Sequence, residues 1–596
     1  MVDKIFGYVA NANAGDWQNT LCFMGDDGNG NVHMAEADAA AIMAAEASAS
    51  FDIKKIYWDA YQRTTISTGN RYPDATRLIK QQMQQGALLM DYCGHGVTYC
   101  LSHEQVVRIE DFAEQTSLRL PLWVTASCDI MPFDSQEENI GETAMLNSRG
   151  GAIAFFGTTR TVYTGDNKNM NCAFIKYVLA KDADGQPYRL GDAVRLSKNE
   201  VRAMSTKLSD SPHETYVINK LHYSLLGDPA LRLAVPTEPV VIDSINGQPI
   251  GAGTDDVLHL SAGQTVTVSG HVGGGTDFSG VVVLTVKDVK EQVTCRLNDP
   301  EGASTAFTFS DRPTTIYNGQ DSVRNGRFQL SFVLPKDISY SEETGRISVY
   351  AVSNDRQHLA NGHTEAFTMG SGDDVADDGI GPSIYCYLNT ADFENGGQVN
   401  TTPYFFAQLT DKDGINAAGS SLGHDMELVI DGQLAMTYNL NSYFRYDFGD
   451  YRSGTVGFSL PELSEGEHRL TFRAWDVLNN SSVAELRFQV VSGLQPRCFS
   501  VECTRNPATT STTFIVNHDR TGSLMDVELE VFDTSGRLLW KKAESGVSTD
   551  NTYTLDWDLT GSSGSRLRTG VYLYRVLIST DGSRKASKAQ KLIILR

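Results

Sequence analysis

Two short segments hold the residue types of nucleophilic catalysis: Cys93-Gly94-His95-Gly96 and Ser127-Cys128-Asp129. A cysteine thiolate attacks a carbonyl carbon well, and a neighbouring imidazole can take the thiol proton and later return it to a leaving amine. Glycine on each side of His95 frees the backbone to turn sharply and lets a substrate carbonyl come close. In this scheme Cys128 is the nucleophile and His95 the general acid/base, while the backbone N–H groups of Gly96 and Cys128 form the oxyanion hole. Taken singly, each residue has a plainer reading. A cysteine after a strand is usually small apolar filling, and a histidine in a glycine turn is usually structural.

Placement favours the chemistry. His95 follows the apolar run ALLMDY at 87–92, and Cys128 follows PLWVTAS at 121–127. These runs belong to a series with LCFMG at 21–25, KKIYW at 54–58 and GAIAFFG at 151–157, alternating with helix-like stretches such as HMAEADAAAIMAAEAS at 33–48. Such alternation predicts an α/β domain whose parallel strands are buried on both faces. In parallel sheets the ligand crevice lies outside the carboxyl ends of the strands, where His95 and Cys128 both fall, with enough chain between them for one crossover helix. By the same rule Thr158, Thr159 and Arg160, after GAIAFFG, are candidate walls of the substrate cleft; the alternative is a polar loop without substrate contact. Pro236 and Pro239 mark the end of this domain, taken as residues 1–238.

From there on the pattern has period two, with strands such as TVTVSGHV, RFQLSFVLP, RISVYAVS and HRLTFRAWDV between Gly, Asn, Asp and Ser turns. This predicts all-β, sandwich-like domains over 239–375, 376–494 and 495–596, with the acidic, Gly-rich stretch at 371–382 as the clearest linker. Trp475 reads as a sandwich core residue.

At 596 residues the chain is too long for one core. Its formal charge of −23 and pI near 4.9 argue against nucleic acid as a partner. The first residues lack the basic start and apolar stretch of a signal peptide, and we expect the C-terminal part of a longer protein. Nine cysteines are too sparse for a disulfide scaffold, and the odd count leaves at least one thiol unpaired. Cys498 and Cys503, paired or free, read as structural. Cys93, Cys100 and His103 fit no common zinc spacing. The carboxylate groups of GDDGNG at 25–30 and DKDG at 411–414 are partial calcium loops without the distal Glu of an EF-hand, so structural calcium is a candidate while catalysis requires no cofactor.

The segments YCGHG at 92–96, ASCD at 126–129, GGAIAFFGTTR at 150–160 and LLGDPALRL at 225–233 resemble the catalytic segment of the gingipain family of cysteine peptidases. That resemblance implies a caspase-like fold in which the histidine of the GHG motif and the cysteine after the next strand, here His95 and Cys128, form the dyad. It also implies a third, acidic group that orients the histidine, for which Glu36, Asp38, Asp26 and Asp27 are candidates. Downstream, DKDGIN at 411–416, GHDMELVIDG at 423–432 and the block at 451–482 resemble the β-domain of PorU-type sortases of the type IX secretion system. The last unit, with VFDTSGRLLW at 531–540 and LRTGVYLYRVLIS at 567–579, is similar to that system's C-terminal sorting domain. The resemblance implies an exported enzyme of the cell surface and outer membrane with immunoglobulin-like β-domains. Such an enzyme removes sorting domains from cargo, attaches the cargo to an anionic lipopolysaccharide, and docks on an outer-membrane β-barrel partner. Two rivals remain open: a secreted gingipain-like endopeptidase, and a non-catalytic surface-binding protein.

Overall fold

The computed structural model describes residues 1–208, 219–250, 257–273, 277–299, 302–372, 375–418, 423–548 and 550–595. Asp373 and Asp374 of the expected linker lie outside the described residues. The chain divides into two compact units, Met1–Leu334 with Ile338–Val375, and Pro335–Asp337 with Ala376–Arg596.

The first unit opens with α1 (Val2–Val9), β1 (Thr20–Gly25), α2 (Gly28–Ala47), β2 (Asp52–Tyr57) and α3 (Pro73–Gln85). It continues through β3 (Leu89–Cys93), α4 (Ile109–Glu114), β4 (Leu122–Ala126), α5 (Ile140–Leu146) and β5 (Ala154–Thr158). α6 (Asp166–Val178), α7 (Leu190–Leu208) and β6 (Tyr223–Leu226) complete the α/β domain. The strands form one sheet in the order β6-β5-β4-β3-β1-β2. Neighbours from β5 to β2 run parallel, and β6 is antiparallel to β5. The five expected strands are all present. The edge strand β6 was not expected: it is four residues long and half-buried over most of its length, too short to show a period.

Every residue of β3, β4 and β5 is buried, because helices cover both faces of the sheet. Alternate residues feed two cores. Leu21, Phe23, Leu89 and Val124 pack on one side, and Cys22, Met24, Met90 and Trp123 on the other. Each such side chain contributes about 1.5–3 kcal/mol through burial. Lys4 on α1 ties the N-terminal helix to the domain. Its buried ammonium donates to the carbonyls of Ala144, Met145, Asn147 and Gly150 at 2.8–3.3 Å, satisfying the open C-terminal end of α5.

The rest of the first unit is all-β. Its main sheet runs Thr315–Val323, Gly280–Lys287, Arg346–Ser353, Leu359–Thr364, Glu238–Ile245, Thr265–Val272, Arg327–Val333. This part packs against side chains of β2, the edge strand of the α/β sheet. Lys55 donates to Ser310 O at 2.7 Å, Lys287 pairs with Asp52 at 2.5 Å, and the rings of Tyr57 and Phe309 meet edge to face at 4.6 Å. The buried carboxylate of Asp59 accepts from the N–H groups of Leu297 and Asn298, both at 2.8 Å. Cys295 and Phe309 join a small core with Cys93 and Ala126, the last residues of β3 and β4.

The second unit is built of strands alone apart from single turns of 3-10 helix among its described residues. Ser383–Leu388, Tyr404–Thr410, Asp450–Ser459 and Phe444–Asp447 form one sheet, and a second contains Gly466–Trp475 and Ser481–Val490. Cys498–Cys503, Thr512–His518 and Thr552–Trp557 form a further sheet that shares a core with Leu524–Phe532 and Gly570–Thr580. All nine cysteines are free thiols. Among the described residues no helix is long and apolar enough to cross a membrane.

Candidate active site

β3 and β4 are adjacent and parallel, with Cys93 opposite Ala126. The Gly94 N–H extends the ladder to Ala126 O at 3.3 Å. His95 and Cys128 each lie two residues beyond that pair, on strands about 4.8 Å apart. Glycine is required where the two strand ends meet. A Cβ on Gly94 would fall 2.2 Å from the Tyr92 hydroxyl and 2.7 Å from Asp26 Oδ2, and one on Gly96 would fall 2.4 Å from both Ile130 Cδ1 and Ser127 Oγ. Gly96 thus packs directly on the turn that carries Cys128. Gly96→Ala should push the two strand ends apart, lower kcat on the order of 10²-fold and, by crowding the buried Ile130 and Ser127, cost about 1–3 kcal/mol of stability; steady-state kinetics beside a thermal melt would check it.

The backbone of His95 is gripped from three directions. Its N–H donates to Asp26 Oδ2 at 2.7 Å, and its carbonyl accepts from the Tyr92 hydroxyl at 2.7 Å and from Ser102 N–H at 2.8 Å. The imidazole lies between two other histidines: His33 at 4.9 Å with perpendicular rings, and His103 at 4.6 Å with nearly parallel rings. Burial lowers the pKa of His95; Asp26 opposes this, and His33 and His103 lower it further.

The Cys128 thiol donates to Val162 O at 3.4 Å, and Val162 N–H approaches the sulfur at 3.5 Å. Burial pushes this thiol up, the contact with Val162 partly opposes the shift, and Asp129 adds to it. A lowered imidazole beside a raised thiol means both are neutral near pH 7. Among the described residues the thiol's hydrogen-bond partner is Val162 and the ring neighbours of His95 are His33 and His103, so thiol and imidazole share no hydrogen bond. Catalytic hydrogen bonds are often long before substrate binds.

The three residues after β5 separate. Thr158 is fully buried and its hydroxyl donates to Ser127 O, so it supports the nucleophile turn from beneath and cannot line the cleft. That corrects the expectation from strand-end position: the last strand residue still points into the sheet core. Thr159 is held to His222 O through its N–H at 2.9 Å and its hydroxyl at 3.1 Å. Arg160 is exposed and forms a fork with Asp134 at 3.0 and 2.6 Å, while its carbonyl accepts from Asp129 N–H at 3.4 Å. Arg160→Ala is expected to raise KM with kcat held, if substrate competes for this guanidinium; an unchanged KM would remove Arg160 from the cleft.

The acidic candidates also divide. Asp26 holds the His95 backbone, Asp27 accepts from the Tyr72 hydroxyl at 2.6 Å, and Asp38 pairs with Lys55 at 2.7 Å. Glu36 accepts from Gly165 N–H at 2.7 Å and faces His33. The ring neighbours of His95 are therefore histidines, and one of them, His33, is a residue the strand-end rule could have found, since it follows the turn after β1. Beneath the site Asp91 on β3 is fully buried and accepts from Asn171 Nδ2 at 2.8 Å; the same amide approaches Cys93 Sγ at 3.3 Å. Cys93 is thus a buried neighbour of the site, and Cys100 Sγ instead faces Ser102 O. The one grouping of three potential metal ligands among the described residues is in the second unit, where Asp411, Asp413 and Asp476 bring carboxylate oxygens within 4.8 Å of one another.

Residues 1–234 match the model of peptidase family C25. Among solved structures, the chain is similar to dimeric latent PorU from Porphyromonas gingivalis, with 33% identity over 75% of this chain and 41% of that one and a TM-score of 0.31. It is also similar to the Arg-specific cysteine proteinase gingipain R, with 15% identity over 61% of this chain and 71% of that one and a TM-score of 0.33. The complex of the RgpB pro- and mature domains from Porphyromonas gingivalis gives 15% identity, 61% and 72% coverage and a TM-score of 0.32. The chain spans about two fifths of the length of the PorU chain. No curated protein matches it.

Proposed function

Because residues 1–234 match the model of peptidase family C25, we propose that the chain is a cysteine peptidase of the gingipain family in which Cys128 attacks the scissile carbonyl and His95 serves as general base and then acid. The observation that supports this reading is the register of β3 and β4, which pairs Cys93 with Ala126, two residues before His95 and Cys128 respectively. Attack forms a Cys128 thioester as the thiol proton passes to His95, and His95 then protonates the departing amine. Oxyanion donors would be the N–H groups of Gly96 and Cys128.

Water or an amine can resolve a thioester, so this dyad suits hydrolysis and transpeptidation alike. The reading extends to a sortase of the type IX secretion system that cuts C-terminal sorting domains from cargo and joins the cargo to an anionic lipopolysaccharide at the cell surface. The sequence blocks at 411–416, 423–432, 451–482 and 531–579 support this extension. In it the β-domains, with boundaries at 239, 376 and 495, are immunoglobulin-like modules that dock on an outer-membrane β-barrel. Incubating the purified chain with a cargo protein that ends in a sorting domain, with and without a glycine ester as amine acceptor, tests it by mass spectrometry. Cleavage at the junction with capture of the amine supports the sortase, general digestion of casein supports the endopeptidase, and neither activity supports the binding protein.

A structural calcium ion would be held by Asp411, Asp413 and Asp476, whose oxygens are the hard donors this ion takes. Asp413 Oδ2 is buried without a hydrogen-bond partner, which suits a cation ligand. Calcium at about one hundred times its Kd should raise the melting temperature of the second unit by about 5–10 °C, and Asp413→Asn should erase the difference between calcium and EDTA. By contrast the 25–30 loop has its carboxylates committed to His95, Tyr92 and Tyr72.

A further inference from the structure

On its buried side the His95 ring meets a histidine where an acid would be looked for. His33 is 3% exposed, and its ring stands perpendicular to that of His95 at 4.9 Å. An unusual turn puts it there. Asn29, Gly30 and Asn31 all have left-handed φ values of 55°, 69° and 71°, so the regular part of α2 begins only at Val32. The Asn31 side chain fastens this turn to Thr305 O at 3.0 Å, and the Asn29 amide lies 3.2 Å from His33 Nε2, where it serves an imidazolium by turning its oxygen to accept. Gly28, just before the turn, leaves room for the His95 ring, since a Cβ there would come within 2.8 Å of His95 Cδ2.

Two carboxylates flank His33. Asp26 Oδ1 lies 3.9 Å from Nε2, and Glu36 Oε2 lies 3.9 Å from Nδ1. At 3.9 Å these are charge contacts, and His33 Nδ1 and Glu36 Oε2 have no hydrogen-bond partner. Burial lowers the proton affinity of His33, but Glu36 and Asp26 more than offset it and hold the ring above its ordinary pKa. Asp26 is shared, since its other oxygen accepts the His95 N–H at 2.7 Å. The groups facing His95 are thus Asp26, His33 and, on the exposed side, His103.

We propose that His33 is the positioning residue for His95: clamped between Asp26 and Glu36, it fixes the plane of the His95 ring and, as an imidazolium, keeps that ring neutral and able to accept the Cys128 proton. This rests on the dyad reading above. His33 touches neither substrate nor thiol and acts through His95. Its charge favours a neutral His95 because a second cation beside the first is disfavoured. Its ring edge limits rotation of His95, and a base misdirected by an ångström loses most of its effect.

The test is the rate of Cys128 labelling by iodoacetamide in the full chain between pH 4 and 9, read by peptide mass mapping, for the parent chain, His33→Gln, His33→Phe and His95→Ala. His33→Gln removes ring and charge; it should slow labelling on the plateau at least about tenfold and move the acid limb to higher pH by about one unit. His33→Phe keeps the ring without the charge, so it should retain most of the plateau rate while shifting the acid limb in the same direction. A purely packing role would leave the limb where it is in both variants, and that result overturns the proposal. If the glutamine variant melts early, the phenylalanine variant decides through its limb. Should His95→Ala leave labelling unchanged, the dyad reading falls and this proposal with it; if His95→Ala slows labelling while neither His33 variant does, the dyad stands and the role of His33 alone is refuted.

Discussion

Cys128→Ala is expected to abolish thioester formation, and His95→Ala to lower kcat by about 10²–10⁴-fold, the range a positioned general base supplies. Both substitutions should leave the melting temperature near that of the parent, because neither side chain belongs to the fully buried core: Cys128 is only partly buried against it. The pH profile gives a second readout. Burial with two neighbouring histidines holds the His95 pKa below its ordinary value, so the base stays neutral and active into mildly acidic solution. The thiol is pushed up by burial, so no preformed thiolate carries the reaction. An acid limb above the ordinary imidazole range, or full activity of His95→Ala, would rule out this assignment. Kinetics on a cleaved cargo, with trapping of the acyl-enzyme, measures both.

The second large effect is on stability. Asp91 is 0% exposed, and burial pushes its carboxyl up to about 7, with only the Asn171 hydrogen bond opposing. Its folded pKa is thus above its unfolded value. The contribution to stability is full below about pH 4 and is lost as pH rises to about 7, up to about 4 kcal/mol for a shift of this size. Asp91→Asn should therefore stabilise the first unit at pH 8 by a few kcal/mol and change little at pH 4. The surroundings suit an amide, because Asp91 Oδ1 and Asn171 Oδ1 both lack partners and an added N–H donor could serve the latter. Denaturant titrations at the two pH values would show this; destabilisation at pH 8 would refute it.

Much of the first domain was legible because its signals are local. Continuous apolar runs are what strands covered on both faces require, and GHG and SCD fall directly after two of them, so fold class and dyad candidates came from adjacent residues. Thr158 was misjudged because one residue separates a strand's last core position from its first loop position, and sequence spacing does not resolve that step. His33 was passed over although it lies in the helix-like segment that supplied Glu36 and Asp38. Its value depends on three consecutive left-handed residues, and only the two asparagines and a glycine hint at them. The grouping of Asp476 with the DKDG carboxylates joins residues far apart in sequence through the pairing of Ile415 with Asp476, which no motif announces.

The contacts that close the peptidase domain also set an order of events during synthesis. Gln18 accepts from the Tyr350 hydroxyl, Asn11 donates to Arg356 O, Asn19 accepts from Asn361, and the turn that carries His33 is fastened by Thr305. At about 5–20 residues per second a ribosome makes the later partners only after tens of seconds. The α/β sheet can collapse early, since its strands are close in sequence, but its catalytic turn stays unfastened until the following β-domain has emerged and folded against it.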